Sequence, residues 1–491
     1  MAPADPANLP RVSLRAVLWH NRLEAASGTL LLAMALFCPW AFGTTQPWAI
    51  WTMNVAGYAV GGLLVLKLGI RRVWRHEPAR WGTPAPRAAR GLTLGLAGAT
   101  VLLLGFTFIA ALNARAEYHP GSLTLDYRDH LAWLPHSYHR ARTWAALFDY
   151  VAWAAAFWAL RDWLLGMTSA EARAARAGEP PTGAIPRRLK LLLWVLAVNG
   201  AVLGVEGVIQ RLEGSGKLLF LVQPRVNPEA ITQFGPFAYR SNAAQYLNLI
   251  WPVTLGFWWW VQQTARRGTT ERRRSGWLLV CAIIMAACPI ITSSRAGALT
   301  GMALLAGAVA ILITARRADG LRKLAVLAVF GLALAAGVWL GWNSLNPRLG
   351  DLAEGWRTRE LMYETARLIA RDHPVFGTGP GTFEHMFQLY RQSLDEYWPA
   401  QLHNDWLELR LTFGWTGLGL MLAALGAVVA HGLVRGRIAA SRRFIWLGWL
   451  ALAGCLLQAR WDFPFRTYSV VMLFLTVCAV LTIVGRAPSR S

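Results

Sequence analysis

The sequence predicts an all-α integral membrane protein with about twelve transmembrane helices and a large helical loop on the outer side between spans nine and ten. Three observations support this fold class. Of the 491 residues, 55% are hydrophobic and only 15% are charged, whereas an ordinary soluble domain has about 25% charged residues. Apolar runs close to the roughly 20 residues that cross a bilayer recur from end to end. Basic residues are concentrated in alternate loops, as the positive-inside rule requires.

The hydropathy pattern divides the chain into twelve spans and three segments outside the bilayer. The predicted spans are 27–44, 47–69, 91–113, 142–164, 190–209, 242–263, 276–293, 297–315, 323–342, 413–434, 443–458 and 468–485. The corresponding organisation is a cytoplasmic N-tail 1–26, spans one to nine in 27–342, a long loop 343–412 on the outer side, spans ten to twelve in 413–485 and a cytoplasmic C-tail 486–491.

The net charge of +23 is explained by topology and does not require a nucleic-acid partner. The short loop 264–275 alone carries Arg266, Arg267, Arg272, Arg273 and Arg274. Such loops face the cytoplasm, so we expect a multi-pass protein with both termini cytoplasmic and with membrane lipids as partners. The five cysteines all lie in apolar runs, which is typical of buried hydrophobic residues and not of disulfides or metal ligands.

The loop 343–412 is predicted to have its own structure. Glutamate and arginine spacings indicate a helix over Leu352–Arg371, which ends before Pro374. A Gly/Pro-rich turn follows over 373–381, and a second helix is expected over Thr382–Ser393. Long ordered loops often carry function, so the chemistry is expected on this outer side.

Two arginines are predicted at the outer ends of membrane helices. Arg240, with Asn242 nearby, lies where a loop becomes span six, and Arg295 lies in the tight turn between spans seven and eight. A guanidinium at this depth suits phosphate oxygens or pairs with an anion in a cavity. The alternative is an arginine that extends to the lipid surface. Glu206 and Arg211 are two further charged residues near the outer end of span five. The simplest interpretation is that these two residues pair with each other.

The long loop supplies a candidate base. Histidine has an unperturbed pKa of about 6.5, which suits proton transfer near neutral pH. His403 is followed by Asn404, and Arg359 and Tyr363 lie earlier in the same loop. The alternative for His403 is a structural hydrogen-bonding role. Rivals on composition alone are His130, His136, His139, His373 and His385.

Three stretches, taken in order, resemble the O-antigen ligase/polymerase superfamily of bacterial membrane proteins. The first is Gly235-Pro-Phe-Ala-Tyr-Arg-Ser-Asn-Ala-Ala, in which Tyr239 and Ser241 depart from the family pattern. The second is Ser294-Arg-Ala-Gly. The third has three parts: Arg359-Glu-Leu-Met-Tyr363, the Gly/Pro turn that begins at His373, and the segment from His403-Asn-Asp-Trp-Leu-Glu-Leu to Gly417. In the first of these parts, Tyr363 stands where the family usually has Trp.

The resemblance implies a membrane glycosyltransferase of the bacterial inner membrane with a periplasmic active site. A glycan on undecaprenyl diphosphate would be transferred, without metal or cofactor, to an acceptor such as the lipid A core, in lipopolysaccharide and surface polysaccharide assembly. By motif position, His403 matches the family's base, and Arg240, Arg295 and Arg359 match arginines for the diphosphate. Asn404, Asn242 and Tyr363 are expected to orient substrates.

Alternatives remain open at this stage. Polysaccharide polymerases and protein O-oligosaccharyltransferases share these motifs, so the acceptor could equally be a growing glycan or a protein. A transporter of lipid-linked glycans is the non-enzyme alternative, although no internal repeat is found. Another lipid-linked glycosyltransferase would use Asp126, Asp129 or Glu384 as its base. The sequence leaves the roles of Glu206, Asp405 and Glu408 unassigned.

Overall fold

In the computed structural model the chain forms a helical bundle with loops and short helices gathered at one end. The structure describes residues 14–81, 87–177, 185–225, 228–266, 268–314, 320–350, 352–391, 399–435 and 441–484. Its helices are α1 Leu14–Trp40, α2 Pro47–Val73, α3 Arg87–Leu112, α4 Arg140–Leu165, α5 Ser169–Arg176, α6 Arg187–Glu213, α7 Arg240–Thr264, α8 Thr270–Arg274, α9 Gly276–Ile291, α10 Arg295–Ile313, α11 Gly320–Gly350, α12 Leu352–Asp372, α13 Phe383–Tyr390, α14 Asp405–Arg435, α15 Arg442–Gln458 and α16 Tyr468–Ile483.

Within the described residues, nine helices are long and apolar enough to cross a membrane by length and composition. They coincide with nine of the predicted spans. The helices at predicted spans six, eleven and twelve are α7, α15 and α16, which are not among these nine. The exact number of twelve therefore stays a prediction, whereas a multi-pass helical membrane protein is what the fold shows.

Helix α7 is the centre of the bundle. It packs against α6, α9, α10, α15 and α16, and its residues from Ser241 to Val261 are all buried. Asn242, Gln245 and Asn248 place three amides in this core. A helix enclosed by other helices can carry amides that a lipid-facing helix cannot, which explains why α7 is less apolar than its neighbours.

Two boundaries differ from the sequence prediction. Helix α1 begins at Leu14, so the predicted N-tail 1–26 is helical from that residue. The predicted loop 343–412 is entered by α11, which continues to Gly350, and is left by α14, which begins at Asp405. Amphipathic helix ends carry polar residues beyond the apolar run, and hydropathy alone places a span boundary too early or too late there.

The loops between the long helices contain both expected and unexpected elements. Helix α12 confirms the helix predicted over Leu352–Arg371, and α13 matches the described part of the one predicted over Thr382–Ser393; residues 392 and 393 lie outside the described residues. A small antiparallel hairpin, β1 Ala116–His119 and β2 Thr124–Tyr127, was not predicted. The chain is therefore helical apart from one short sheet in the part that the structure describes.

Candidate functional site

The polar motifs meet at one end of the bundle, which we call the site end. Here α6 ends, α7 and α10 begin, and the segments 399–404 and 459–467 lie against them. Helix direction alternates along the chain, so these boundaries lie at the same end of the bundle. The sequence predicted that Arg240, Arg295 and His403 lie on one side of the membrane, and the structure does place them at one end.

Arg240 is the first helical residue of α7, directly after the extended Tyr239. Its Nη1 donates a hydrogen bond to the Ile231 carbonyl at 2.6 Å. Arg211, Arg295 and Arg348 all act electrostatically on the Arg240 guanidinium. We call these four residues the arginine cluster. Of its members, sequence reasoning found Arg240 and Arg295 as site residues and missed Arg211 and Arg348.

Arg211 holds three loop carbonyls together. Its guanidinium donates to Ala230 at 3.2 Å, to Gln233 at 2.8 Å and to Thr292 at 3.2 Å. The expected pair with Glu206 is not formed, and the two Glu206 oxygens are buried without a hydrogen-bond partner among the described residues. Five residues of helix separate the two side chains by about 140°, so they lie on different faces of α6.

The Ser294-Arg-Ala-Gly motif builds the start of α10. Ser293 has a positive φ of 57° and turns the chain out of α9. Ser294 caps the new helix, because its Oγ accepts a hydrogen bond from the Gly297 N–H at 3.1 Å. A Cβ at Gly297 would lie 2.4 Å from the Ala244 side chain, so the glycine allows α10 to approach α7. The motif thereby fixes Arg295 at the first position of α10, whereas the sequence predicted that Arg295 lies in the turn and that the helix begins just after it.

His403 is held in a strained backbone conformation. Its φ is 56°, a left-handed value that is uncommon for a residue with a side chain and often occurs at functional sites. The Tyr363 hydroxyl, which is fully buried, donates to the His403 carbonyl at 2.9 Å. Tyr363 therefore fixes the backbone of His403. The sequence predicted that Tyr363 orients a substrate, and the structure shows a contact with His403 instead.

A polar chain joins His403 to both arginine-bearing turns. Its Nδ1 lies 3.6 Å from Asp462 Oδ1, slightly beyond hydrogen-bond length. Asp462 Oδ2 accepts a hydrogen bond from Ser241, and the Ser241 and Ser294 hydroxyl oxygens are 3.0 Å apart. Since Ser241 donates to the carboxylate, Ser294 is the donor in that contact. We call His403, Asp462, Ser241 and Ser294 the polar chain.

Aromatic rings enclose the histidine. The His403 and Phe463 ring centroids are 4.9 Å apart, and the Tyr239 ring is stacked on Phe463 at 5.2 Å. Tyr239 is 6.3 Å from the histidine ring. Burial, followed by the nearby Asp462 carboxylate, raises the pKa of the Tyr239 phenol, so this hydroxyl stays protonated and can donate a hydrogen bond at neutral pH.

The remaining predicted residues contact the backbone or the protein core. Arg359 Nη1 donates to the Trp461 carbonyl at 2.9 Å, which ties α12 to the segment that carries Asp462. Asn404 Oδ1 accepts from the Leu407 N–H at 3.2 Å and caps α14. Asn242 is buried in α7. Substrate contact by these three residues stays a prediction.

Two acidic residues left unassigned by the sequence hold the segment 459–467 against α14. Asp405 Oδ2 accepts from the Phe465 N–H at 2.7 Å, and Glu408 forms an ion pair with Arg466. Burial alone would lower the pKa of Arg466, but the Glu408 carboxylate raises that pKa overall. These contacts position Asp462 opposite His403, because both acids lie in the first turn of the helix that follows the histidine.

The rival bases belong to other contacts. His139 and His385 pack ring to ring at 4.4 Å, and His373 packs on Tyr138 at 5.1 Å. Burial lowers the pKa of each of His139, His373 and His385 to about 4. Among the rival acids, Asp126 pairs with His119 at 2.9 Å, and Glu384 lies 3.6 Å from Arg142.

The fold and the site define a multi-pass membrane protein that has a cluster of arginines and a histidine at the same end of the helical bundle. Residues 280–422 match the family model described as O-antigen ligase (Wzy_C). This match confirms the resemblance to the O-antigen ligase/polymerase superfamily, and that segment contains Arg295, Arg359 and His403. Arg240 precedes it. No curated protein matches the chain. The matched family is one of membrane proteins of the glycosyltransferase-like class.

Proposed function

We propose that the protein transfers a glycan from undecaprenyl diphosphate to an acceptor hydroxyl at the periplasmic face of the bacterial inner membrane, as an O-antigen ligase does. The observation that carries this proposal is the polar chain, which links His403 to the turns that hold Arg240 and Arg295. Displacement of a lipid diphosphate needs a base for the acceptor and cations for the leaving group, and the site end holds a histidine and several guanidinium groups.

The arginine cluster would stabilise the leaving group. When the bond between the anomeric carbon and the diphosphate oxygen breaks, negative charge grows on the diphosphate. Cations fixed in a partly desolvated pocket stabilise that charge as it develops. Arg240 and Arg211 donate to carbonyls and not to carboxylates in the contacts described above, so their positive charge remains available to an anion.

His403 would take the acceptor proton. Because Nδ1 faces Asp462, Nε2 is the atom left to accept the proton from the attacking hydroxyl. Asp462 would orient the ring and stabilise the imidazolium that forms, as a carboxylate does beside a catalytic histidine. The new glycosidic bond forms on the face opposite the departing diphosphate, which predicts inversion at the anomeric carbon and no covalent intermediate.

The orientation of the protein is part of this proposal. The basic loop 264–275 and the far ends of α1 and α6 would face the cytoplasm, which leaves the site end in the periplasm. The Ser294 turn and the start of α7 would then lie at the boundary of lipid and water. At this boundary the polyprenyl tail of the donor can stay in the hydrocarbon while its diphosphate stays in water.

The test is reconstitution of the full chain in nanodiscs with a radiolabelled undecaprenyl-diphosphate glycan and three acceptors in parallel: lipid A core, a second lipid-linked glycan, and a protein. We expect transfer to one of the three. His403→Ala should lower the rate about 10²–10⁴-fold, the usual contribution of a general base. Asp462→Asn should lower it less, because the base remains.

The matched control is His119→Ala, since His119 is a surface residue whose side chain is 49% exposed. This variant should transfer glycan at the unaltered rate. Full activity of a folded His403→Ala protein would remove the histidine from the mechanism, and transfer to none of the acceptors would contradict the proposed reaction itself.

A further inference from the structure

A short apolar turn follows α6 at the site end. Residues 218–222, which we call the apolar turn, are closed by backbone hydrogen bonds in both directions between Leu218 and Val222, at 2.8 Å and 3.1 Å. Leu219 and Phe220 have positive φ values of 52° and 62°. Glycine, asparagine and aspartate are the residues that usually adopt such values in turns. Two consecutive residues with large side chains therefore make this turn strained.

The apolar turn also exposes its side chains. Leu221 is 79% exposed, and the neighbouring Phe220 and Val222 are exposed as well. Single exposed apolar residues are normal on a protein surface, but a run of three is not expected in water. Packing against the described residues does not compensate for the strain of the turn, which indicates that an apolar phase outside them covers it.

The chain turns back toward the bilayer before it reaches the apolar turn. Helix α6 ends at Gly214, whose φ is 70°, and the Gln210 Nε2 then donates a hydrogen bond to the Lys217 carbonyl at 2.9 Å. Side chains in a helix point toward its N-terminus, so residue 217 lies level with the last turns of α6 although it follows the helix in sequence. The predicted span ends at residue 209, and the apolar turn thus begins at the depth where the span ends.

The surface of α6 at this depth faces lipid. This helix is one of the nine long apolar helices, and an exposed stripe runs along it at spacings of three and four residues, which consists of Val198, Val202, Val205, Ile209 and Leu212. Such a stripe on a membrane-spanning helix lies against acyl chains. It continues into the last turn of α6, so hydrocarbon reaches the depth at which the apolar turn begins.

Charged and polar residues flank the apolar turn on both sides. Lys217 precedes it, and Gln223 and Arg225 follow it, all three exposed. An apolar segment between basic residues is typical of a segment that lies in the membrane interface, because the apolar side chains enter the hydrocarbon while the basic ones reach the lipid phosphates.

We infer that the apolar turn inserts into the lipid leaflet at the site end, with Phe220, Leu221 and Val222 among the acyl chains and with Lys217 and Arg225 at the phosphates. Gln210 connects this anchor to the site, because its Oε1 also accepts a hydrogen bond from the Gly235 N–H at 2.6 Å. The anchor would therefore hold the turn that precedes Arg240 at the depth of the lipid headgroups.

The first experiment uses the full chain in phosphatidylcholine nanodiscs that contain no glycan donor, so its result does not depend on the proposed glycan transfer. Leu221→Cys carries an NBD fluorophore, and the five native cysteines are buried and do not compete for the label. We expect doxyl groups on the lipid acyl chains to quench this fluorophore about threefold more strongly than one at position 123, since an interfacial segment reaches the acyl boundary.

Leu123→Cys is the matched control. Leu123 lies in the turn between β1 and β2, has a positive φ of 56° and is 64% exposed, but its neighbours Ser122 and Thr124 are polar and contact each other. A fluorophore at this position should be quenched by iodide in the water. Size-exclusion profiles of both labelled proteins check that they are folded.

A second measurement uses the wild-type chain and needs no variant. Hydroxyl radicals generated in the water should oxidise Leu221 less than Leu123 in the same nanodiscs, although Leu221 is the more exposed of the two in the protein alone.

Three results would overturn the inference. One is stronger oxidation of Leu221 than of Leu123 in the wild type. Another is equal quenching by iodide at positions 221 and 123, which would place the apolar turn in water. The third is a fluorophore at position 221 that neither doxyl lipid nor iodide quenches, because protein, such as a second copy of the chain, would then cover the turn.

Discussion

The two ends of the bundle both gather partly or fully buried cations, but the described contacts of these cations differ between the ends. At the end opposite the site, Lys67 is fully buried and lies 2.8 Å from Glu24 and 3.0 Å from Asp162. Arg71 lies 2.7 Å from Asp162. We call this group, which also includes Arg80 and Arg188, the far-end network. Each of its basic residues has a carboxylate partner.

Two members of the arginine cluster, Arg211 and Arg240, donate hydrogen bonds to backbone carbonyls. Arg211 and Arg240 donate to four loop carbonyls in all, and the cluster members repel one another. A carbonyl supplies a partial charge only, whereas a carboxylate cancels a full one. From this comparison we infer that the basic residues paired with carboxylates stabilise the fold. A basic residue that is paired only with carbonyls keeps most of its positive charge, which an anionic ligand can then neutralise.

The largest effect on glycan transfer that this comparison predicts follows from the ligand role proposed for the cluster. Arg295→Lys keeps the charge but loses the planar fork that binds two phosphate oxygens. We expect about a 10–100-fold loss of glycan transfer, because a hydrogen bond to a charged group contributes roughly 1.5–3 kcal/mol. The control at the other end is Arg188→Lys, which should lower thermal stability and preserve transfer. Equal loss of transfer in both variants would contradict the proposal that only the arginine cluster binds the ligand.

A stability measurement sharpens the same comparison from the far end. Lys67→Met removes one partner of two buried carboxylates, and breaking a buried ion pair costs about 3–5 kcal/mol. Lys190→Met removes an exposed pair with Glu271, whose side chain is 47% exposed, and should cost less than about 1 kcal/mol. The free energies of unfolding in mixed detergent micelles measure both. Similar values would mean that the far-end network does not stabilise the fold.

The smallest expected effect concerns acid. His139, His373 and His385 have pKa values of about 4 in the folded protein, because burial lowers them from 6.5. A lowered pKa means that the unfolded segments bind protons first, so the stability of the outer loops is complete above pH 6.5 and declines as the pH falls toward 4. The protection factors of amides in residues 114–139 and 373–391, which are corrected for the slower intrinsic exchange in acid, should therefore fall between pH 7 and 4.5, while the protection factors in α7 stay constant. Constant protection factors in both regions across that range would contradict the prediction.

Sequence hydropathy was sufficient for the class of a multi-pass helical membrane protein and for nine of the predicted spans, and the local motifs were sufficient for some of the residues within them. The Ser294 cap and the outer helix α12 follow from neighbouring residues, and both were predictable. Asp462, Ser241 and Arg348 were not, because each reaches the site through packing of helices that are distant in the chain. Arg211 was assigned to Glu206 because the two are close in sequence, although the turn of α6 directs them apart.

One feature of α14 has a mechanical consequence. The helix contains a break at Gly414, where φ is 63° and ψ is −168°, and a Cβ there would lie 2.1 Å from the Val375 carbonyl oxygen. The Trp415 and Thr416 N–H groups beyond the break donate to Pro374 and Val375. A bilayer that thickens or thins tilts the helices anchored in it. We expect the break at Gly414 to let the part of α14 beyond it tilt while the turn after His403 keeps its place, so that the position of His403 changes little when the thickness of the membrane changes.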